Sequence, residues 1–273
     1  MTAPSAGTSL TTLGLFLSLL KGNIGPGCLS LPHAFTLAPF SVSIPGFALI
    51  AWLAATNSLK LSRLAKTGEG YEQCGGRILG RRGGQIVMLS ISLQQLGVCT
   101  VYFAFVADNV SKLWGGGQTR LVMTAMLPLC LCYLRVRRLK DIEWLSMAAT
   151  ALLFGSIVCL LAVGVEANAK GGDDAKEERE RMSFKNTCLA MSTILYSFEG
   201  ACLVIPCKNA YVTSPSKGGI GPSRPSFDSV FLAAITVVCM VYLGFGVFCV
   251  ATFGAVDDGS FSAFLVDREG GGG

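Results

Sequence analysis

The chain alternates between long apolar runs and short polar or charged segments, and this pattern predicts seven membrane spans. An apolar run of about 20 residues with few charges crosses the roughly 30 Å hydrocarbon core of a bilayer as a helix. The predicted spans cover residues 9–37, 44–64, 85–110, 121–134, 144–165, 184–206 and 229–254. Residues 1–8 precede them and residues 255–273 form a C-terminal tail. The predicted fold class is an all-α polytopic membrane protein with a single transmembrane domain over residues 9–254.

The first predicted span is interrupted at its centre. Between Lys21 and Gly27 stand three glycines, a proline and two polar side chains, inside an otherwise apolar run. Gly and Pro both disfavour the interior of a helix. Within a membrane, backbone freed in this way is tolerated only where it is buried in protein or lines a polar cavity. We therefore predict a broken helix over residues 22–27, with a binding site at the break.

The sixth predicted span carries a second irregular stretch, which begins at Glu199 and Gly200 and ends at Pro206. Like the first, it opens on a charged residue followed by glycine. A charge in hydrocarbon costs about 2.5 to 3.5 kcal/mol on insertion scales, so such residues usually face a cavity or a partner. Matching interruptions in two separated spans are typical of inverted-repeat transporters that bind substrate near the bilayer midplane.

The chemistry of the two breaks suits an amino acid substrate. Amides of the first break, and the start of the half-helix behind it, present donors and a positive dipole to a carboxylate. Carbonyls freed at the second break can accept hydrogen bonds from the ammonium group. The predicted substrate-binding residues are Gly22, Asn23, Ile24, Gly25, Gly27, Ser197, Phe198, Gly200 and, in the third span, Tyr102. Packing against protein or lipid is the alternative role for Tyr102.

The charged residues of the breaks have two interpretations. Glu199 in a low-dielectric cavity can act as a proton carrier. Alternatively, Glu199 and Lys21 form a fixed ion pair that braces the two broken helices. His33, the one histidine of the chain, is either a structural hydrogen-bonding residue or a proton-transfer group.

Composition excludes several classes of function. Apolar residues make up 51% of the chain and charged residues 14%. With a single histidine, no catalytic triad, no other nucleophile–base pair and no metal-ligand set is apparent, so we predict neither an enzyme nor a metal site. Most of the 11 cysteines lie in apolar runs and are predicted to be buried small hydrophobes, namely Cys99, Cys130, Cys132, Cys159, Cys188, Cys202, Cys239 and Cys249.

The basic residues that give the net charge of +5 lie mainly between apolar runs, which fits membrane orientation better than nucleic-acid binding. With the N-terminus in the cytosol, the cytosolic loops hold thirteen Lys or Arg against eight on the other side. Positive charge favours the cytosolic side, so we predict a cytosolic N-terminus. No signal-peptide features precede the first span, which is expected to be retained. The basic segment 60–84 is predicted to be a loop, with a short surface helix as an alternative within it.

Three motifs are distinctive. The first is the stretch from Lys21 to Gly27 with Leu31-Pro32, the second covers residues 95–109, and the third is Phe198-Glu199-Gly200 with Pro206 and Asn209. They resemble the first, third and sixth helices of the amino acid/auxin permease family, nearest its proton-coupled amino acid transporter branch.

This resemblance implies a five-plus-five inverted-repeat fold with substrate between helices 1 and 6. It also implies symport of small neutral amino acids with protons, in a plasma, lysosomal or vacuolar membrane. Protons would be the coupling ion, with sodium as an open alternative, and no other cofactor is expected. The expected partners are the amino acid and the lipid bilayer, no nucleic acid is expected, and the resemblance gives no prediction about protein partners.

The chain departs from this family pattern in two respects. Ser18 stands where the branch often has a histidine, and helices eight to eleven of the full fold are absent. We therefore expect a C-terminally truncated transporter with a partial inverted repeat. The alternatives are a non-transporting amino acid sensor or scaffold, or an inactive fragment. A seven-span receptor is disfavoured by the cytosolic N-terminus and the broken first helix.

Overall fold

The computed structural model describes residues 11–114, 117–133, 140–169, 183–212, 225–254, 256, 259, 261–262 and 264–265. All regular secondary structure in these ranges is helical, as predicted. The α-helices are α1 (Thr12–Asn23), α2 (Leu31–Thr36), α3 (Phe40–Leu64), α4 (Tyr71–Leu113), α5 (Thr119–Tyr133), α6 (Lys140–Ala169), α7 (Phe184–Ser197), α8 (Val204–Val212) and α9 (Phe227–Phe253). Two 3₁₀ segments cover Pro26–Ser30 and Glu199–Leu203. The predicted N-terminal segment 1–8 and most of the tail 255–273 lie outside the described residues.

Several helices have the length and apolar surface of membrane spans. Among the described residues, four stretches qualify: Phe40–Leu64, Tyr71–Leu113, Phe184–Val212 and Phe227–Phe253. A shorter apolar helix covers Met147–Val163. The 15 residues of α5 rise about 22 Å, which is less than a bilayer core. The chain is a multi-pass membrane protein, and the count of seven spans stays a prediction.

The first predicted span is broken, as its Gly and Pro content indicated. After α1, Ile24 and Gly25 are extended, with φ of −84° and −119°. Pro26 then opens the first 3₁₀ segment and Pro32 lies in the first turn of α2. Proline suits a first turn because its fixed φ is helical and its missing N–H would have no partner there. The helix continues through Gly22 and Asn23, so the break starts two residues later than predicted.

The sixth predicted span is broken in the same manner. Helix α7 ends at Ser197, Phe198 leaves the helical region with ψ of 44°, and the second 3₁₀ segment follows. Helix α8 begins at Val204, so the irregular stretch ends at Leu203, three residues before the predicted end at Pro206. Both broken spans thus consist of a helix, a short 3₁₀ segment and a second helix, which confirms the predicted breaks in helices 1 and 6.

The basic segment 60–84, predicted to be a loop, is mostly helical. Helix α3 runs to its end at Leu64, and α4 turns sharply within its length at Gly80, whose φ of +76° favours glycine. The two arms of the turn pack through small residues, since a Cβ on Gly84 would lie 2.8 Å from the Glu72 carbonyl oxygen and 3.2 Å from the Gly76 Cα. The prediction of a loop was wrong for most of the segment, because glycines that permit close helix approach were interpreted as loop residues, and the helical alternative describes it better.

The chain falls into two compact units. The first unit consists of Met1–Ile24, Phe47–Gln94 and Leu195–Val241. In it, α1 packs against the second 3₁₀ segment and α8. A small apolar cluster of Ala65, Cys74 and Ile205, with Leu61 and Tyr71 packed on it, joins the end of α3, the start of α4 and α8.

The second unit consists of Gly25–Gly46, Gln95–Ile194 and Tyr242–Gly273. Its core centres on Phe261, whose ring centroid lies 5.9 Å from that of Phe245 and 5.2 Å from that of Phe253. Within this unit, His33 Nδ1 donates a hydrogen bond to the Val256 carbonyl oxygen at 2.6 Å. That contact supports the structural interpretation of His33.

The predicted burial of the cysteines holds only in part. Cys249 is buried in the protein, as is Cys28, whereas Cys99, Cys159 and Cys188 are exposed. The prediction was wrong for these three because a residue in an apolar run of a membrane helix is covered by lipid as readily as by protein.

Candidate functional site

The candidate site lies in the first unit, where the end of α1 meets the second 3₁₀ segment. A Cβ placed on Gly200 would overlap the side-chain amide of Asn23, with Oδ1 as the nearest atom. A Cβ on Gly22 would likewise overlap Leu203 Cδ1. Two of the predicted site glycines therefore allow the two broken helices to approach each other closely.

Asn23 is fixed at this contact. Its side chain is only 6% exposed, and its Nδ2 donates to the Leu19 carbonyl oxygen at 2.8 Å. This bond turns the amide nitrogen toward its own helix. The Ile24 N–H donates to the Leu20 carbonyl oxygen at 2.9 Å and closes the last turn of α1. The carboxyl end of α1, with its partial negative charge, therefore lies against the second break.

The second break contributes another helix carboxyl end. Ser197 and Phe198, both predicted site residues, are buried, with exposures of 2% and 8%. The Phe198 N–H donates to the Leu195 carbonyl oxygen at 3.1 Å, which tightens the last turn of α7. The Phe198 ring packs on Phe47 with a centroid distance of 5.5 Å. Together, the carbonyl ends of α1 and α7 form an environment that attracts a cation such as an ammonium group.

The two predicted charged residues differ in environment. Glu199 opens the second 3₁₀ segment and is half-buried, with its Oε2 shielded from solvent. Lys21 lies in the last turn of α1 and is exposed. Ion pairs among the described residues join Arg63 to Asp228 and Arg77 to Glu69. The pairing of Lys21 with Glu199 and the proton-carrying role of Glu199 both stay predictions.

The structure brings together only part of the predicted substrate set. Gly22, Asn23 and Ile24 belong to the first unit with Ser197, Phe198 and Gly200, whereas Gly25, Gly27 and Tyr102 belong to the second unit. In the second unit, Gly27 is buried, Gly25 and Tyr102 are half-buried, and the Cys28 N–H donates to the Gly25 carbonyl oxygen at 3.0 Å. Substrate binding by each of these residues stays a prediction.

Sequence reasoning missed the residues that hold the second break from the side of the α3–α4 turn. The Tyr71 hydroxyl donates to the Ala201 carbonyl oxygen at 2.5 Å. Lys208 Nζ donates to the carbonyl oxygens of Ser62 at 2.5 Å and Ala65 at 2.8 Å. These residues lie far apart in the sequence and form no recognisable motif, so the sequence did not predict their contacts. The nearest signal was Asn209, next to Lys208, which forms part of the third motif.

The turn between α3 and α4 is held by Glu69. Its carboxylate accepts hydrogen bonds from Arg77 Nε and Nη2, both at 2.9 Å, and from the Lys66 amide at 3.0 Å. The hydrogen bonds from Arg77, followed by that from Lys66, lower the pKa of Glu69 from near 4.5 to about 2. Because the folded protein favours the ionised carboxylate, the resulting stabilisation is complete above pH 4.5 and is lost as the pH falls toward 2.

This pKa predicts a pH-dependent difference between the wild type and Glu69→Gln. We expect the variant to melt at a lower temperature than the wild type. This margin in melting temperature should be constant at all pH values well above 4.5. The margin should shrink as the pH falls from 4.5 toward 2, because the unfolded chain then binds a proton at Glu69 that the folded protein does not bind until about pH 2. Thermal unfolding of the purified proteins in detergent, followed over this pH range, measures the difference in melting temperature. The control Glu72→Gln alters an exposed side chain nearby and should show no margin. A margin that persists unchanged at pH 2 would contradict the assignment.

Comparison with known proteins identifies similar sequences. The sequence profile of the family described as transmembrane amino acid transporter protein matches residues 8–258. Amino acid transporter AVT3C of Arabidopsis thaliana is 24% identical over 271 residues, which cover 88% of this chain and 59% of that protein. Sodium-coupled neutral amino acid transporter 7 of Rattus norvegicus is 22% identical over 275 residues, covering 93% and 57%.

Vacuolar amino acid transporter 3 of Saccharomyces cerevisiae is 22% identical over 262 residues, which cover 90% of this chain and 35% of that protein. The chain thus spans between about a third and three fifths of the length of these curated relatives. No solved structure matches the chain.

Proposed function

The chain belongs to the family of transmembrane amino acid transporter proteins, the amino acid/auxin permease family, and from this premise we propose that it binds a small neutral amino acid for proton-coupled symport. The family and the similar proteins are transporters rather than enzymes. Transport is proposed to proceed by alternating access. The main support for the proposal is the close contact of Asn23 on α1 with Gly200 at the second break.

The ammonium group of the substrate would bind at the carboxyl ends of α1 and α7. Both ends lie in the first unit, and both carry partial negative charge from carbonyls that have no partner further along the helix. We further propose, from the sequence alone, that the main-chain amides of Gly25 and Gly27 in the first break bind the substrate carboxylate.

The residues around the contact favour a small, uncharged substrate side chain. Gly22, Asn23, Ser197 and Gly200 are all uncharged, and the neighbouring charges of Lys21 and Glu199 are proposed to act in an ion pair or in proton coupling rather than on the substrate side chain. The Phe198 ring, packed on Phe47, leaves an apolar boundary on one side. These features suit a short aliphatic or hydroxyl side chain.

Proton coupling is proposed to depend on Glu199. A carboxyl oxygen shielded from solvent beside a helix break can exchange a proton when the cavity opens to either side. Sodium is the competing coupling ion. For localisation, we propose a vacuolar, lysosomal or plasma membrane, with the N-terminus in the cytosol, on the basis of the loop charges and a vacuolar transporter among the similar proteins.

Reconstitution into liposomes tests this function. The purified chain is reconstituted, and uptake of radiolabelled alanine is measured with an imposed pH gradient, with a sodium gradient and with neither. The proposal predicts uptake that depends on the pH gradient alone. Uptake that follows the sodium gradient would overturn proton coupling, and saturable alanine binding without uptake would favour a sensor or scaffold. The absence of both binding and uptake would overturn the proposed substrate class.

A further inference from the structure

The hydroxyl of Tyr71 occupies an unusual position in the second break. It donates to the Ala201 carbonyl oxygen at 2.5 Å and accepts a long hydrogen bond of 3.5 Å from the Ile205 N–H. Ala201 and Ile205 are four residues apart, so in a continuous α-helix this N–H would donate to this carbonyl directly. The hydroxyl therefore stands in place of a missing main-chain hydrogen bond.

The change from 3₁₀ segment to α-helix explains why a bridge is needed. The Val204 N–H already donates to the Ala201 carbonyl oxygen in the tighter three-residue pattern. The next donor, the Ile205 N–H, belongs to the first turn of α8 and has no α-helical partner within α8 itself. Ile205 is only 1% exposed, and a buried N–H without a partner is costly. The Tyr71 hydroxyl supplies that partner.

Tyr71 is itself held in place by contacts between α8 and the α3–α4 turn. Asn209 on α8 accepts from the Gly68 N–H at 3.0 Å and donates from Nδ2 to the Glu69 carbonyl oxygen at 2.8 Å. Lys208 on the same helix donates to the carbonyl oxygen of Ala65. Because Tyr71 follows this turn directly, its hydroxyl has a fixed position relative to α8.

We propose that Tyr71 is a positioning residue of the substrate site, whose hydroxyl keeps the second break in its 3₁₀ form. In this form Gly200, next to Ala201, lies against Asn23. Without the hydroxyl, the Ile205 N–H and the Ala201 carbonyl lose the partner they share, and the segment 199–203 no longer keeps its 3₁₀ form. That rearrangement moves Gly200 away from its contact and weakens substrate binding. The inference rests on the proposed function, because it concerns the same site.

The test compares Tyr71→Phe with Tyr211→Phe in the full chain. Tyr211 is a matched control in the same unit, because its hydroxyl also donates to a main-chain oxygen, that of Pro225 at 2.8 Å, and contacts Thr12 Oγ1 at 3.3 Å. Each variant keeps the aromatic ring and loses only the hydroxyl. Both are expected to melt a few degrees below the wild type, so melting temperature alone does not separate positioning from stability.

Two readouts separate the roles. The first is hydrogen exchange by mass spectrometry in peptides covering residues 201–207, which needs no substrate. The second is the dissociation constant of alanine for the purified proteins. In Tyr71→Phe, we expect exchange in these peptides and the dissociation constant each to rise about tenfold, as the loss of one hydrogen bond implies. In Tyr211→Phe, both should stay within about twofold of the wild type, since the hydroxyl bonds described above join it to Thr12 and Pro225 rather than to residues 199–205.

Unchanged exchange at residues 201–207 in Tyr71→Phe would overturn the proposal. So would faster exchange with an unchanged dissociation constant, or an equal loss of affinity in Tyr211→Phe. A wild-type protein that binds no alanine overturns the proposed function and, with it, the link between Tyr71 and affinity. The exchange measurement would then still decide whether Tyr71 holds the second break.

Discussion

Gly200→Ala is expected to weaken amino acid binding by about 5- to 150-fold, because overpacking a close contact costs roughly 1 to 3 kcal/mol. The new methyl group would overlap the side-chain amide of Asn23. That amide cannot move aside freely, since Asn23 is 6% exposed and its Nδ2 is bonded to the Leu19 carbonyl oxygen. Either that hydrogen bond breaks or the second 3₁₀ segment moves away from α1. The dissociation constant and the initial rate of alanine uptake measure the effect.

Two further variants show whether the overlap is the cause. Gly244→Ala places a methyl group in α9 that would point into open space beyond the backbone of its own helix, so binding should be unchanged. The double variant Asn23→Ala with Gly200→Ala removes the amide that the methyl group would meet. If the overlap is responsible, the double variant binds no more weakly than Asn23→Ala alone. Additive losses, or wild-type binding by Gly200→Ala, would contradict the proposed contact.

The breaks themselves were predictable from local chemistry. Gly and Pro oppose a helix wherever they stand, so the residues between Lys21 and Pro32 carry enough information to predict the end of α1. The second break was less evident, since it contains Gly200 and only one proline further on. Its prediction depended on the charge at Glu199 within an apolar run, and the structure confirms an interruption there.

Contacts between distant residues were not predictable in the same way. Tyr71 and Ala201 are 130 residues apart, and nothing in the residues around either of them distinguishes a bridging tyrosine from an ordinary one. The contact between Asn23 and Gly200 was only partly predictable. Both residues belonged to the predicted site, but the sequence did not show that position 200 is glycine because a larger residue would overlap Asn23. A single sequence shows where a helix must break, but not which side chain fills the break.

The buried face of a membrane helix was also difficult to predict from the sequence. The hydropathy of α4 is that of a membrane span throughout its apolar part, yet Cys99 and Leu96 are exposed while Ala107 is buried. In a soluble protein, a polar face would mark the exposed side of the helix. Lipid requires the same apolar side chains as the protein core, so the pattern predicts a span but not its buried face.

Glu199→Gln is expected to abolish accumulation of alanine driven by a pH gradient. For a stoichiometry of one proton per substrate, each pH unit of gradient supports about tenfold accumulation, since one unit corresponds to 1.36 kcal/mol. Glutamine has the shape of the protonated side chain but cannot release a proton. We therefore expect the variant to bind alanine and exchange it across the membrane, with a final ratio near one. Equilibrium accumulation in liposomes measures this ratio.

The controls distinguish a proton carrier from a fixed ion pair. Asp108→Asn removes a carboxylate that is exposed on α4, so it should keep the full accumulation ratio. If Glu199 instead forms a fixed pair with Lys21, then Glu199→Gln and Lys21→Gln should both reduce binding and melting temperature to a similar extent. A proton carrier predicts the opposite for Glu199→Gln, namely preserved binding and exchange without accumulation. Wild-type accumulation in Glu199→Gln would remove this residue from the coupling mechanism.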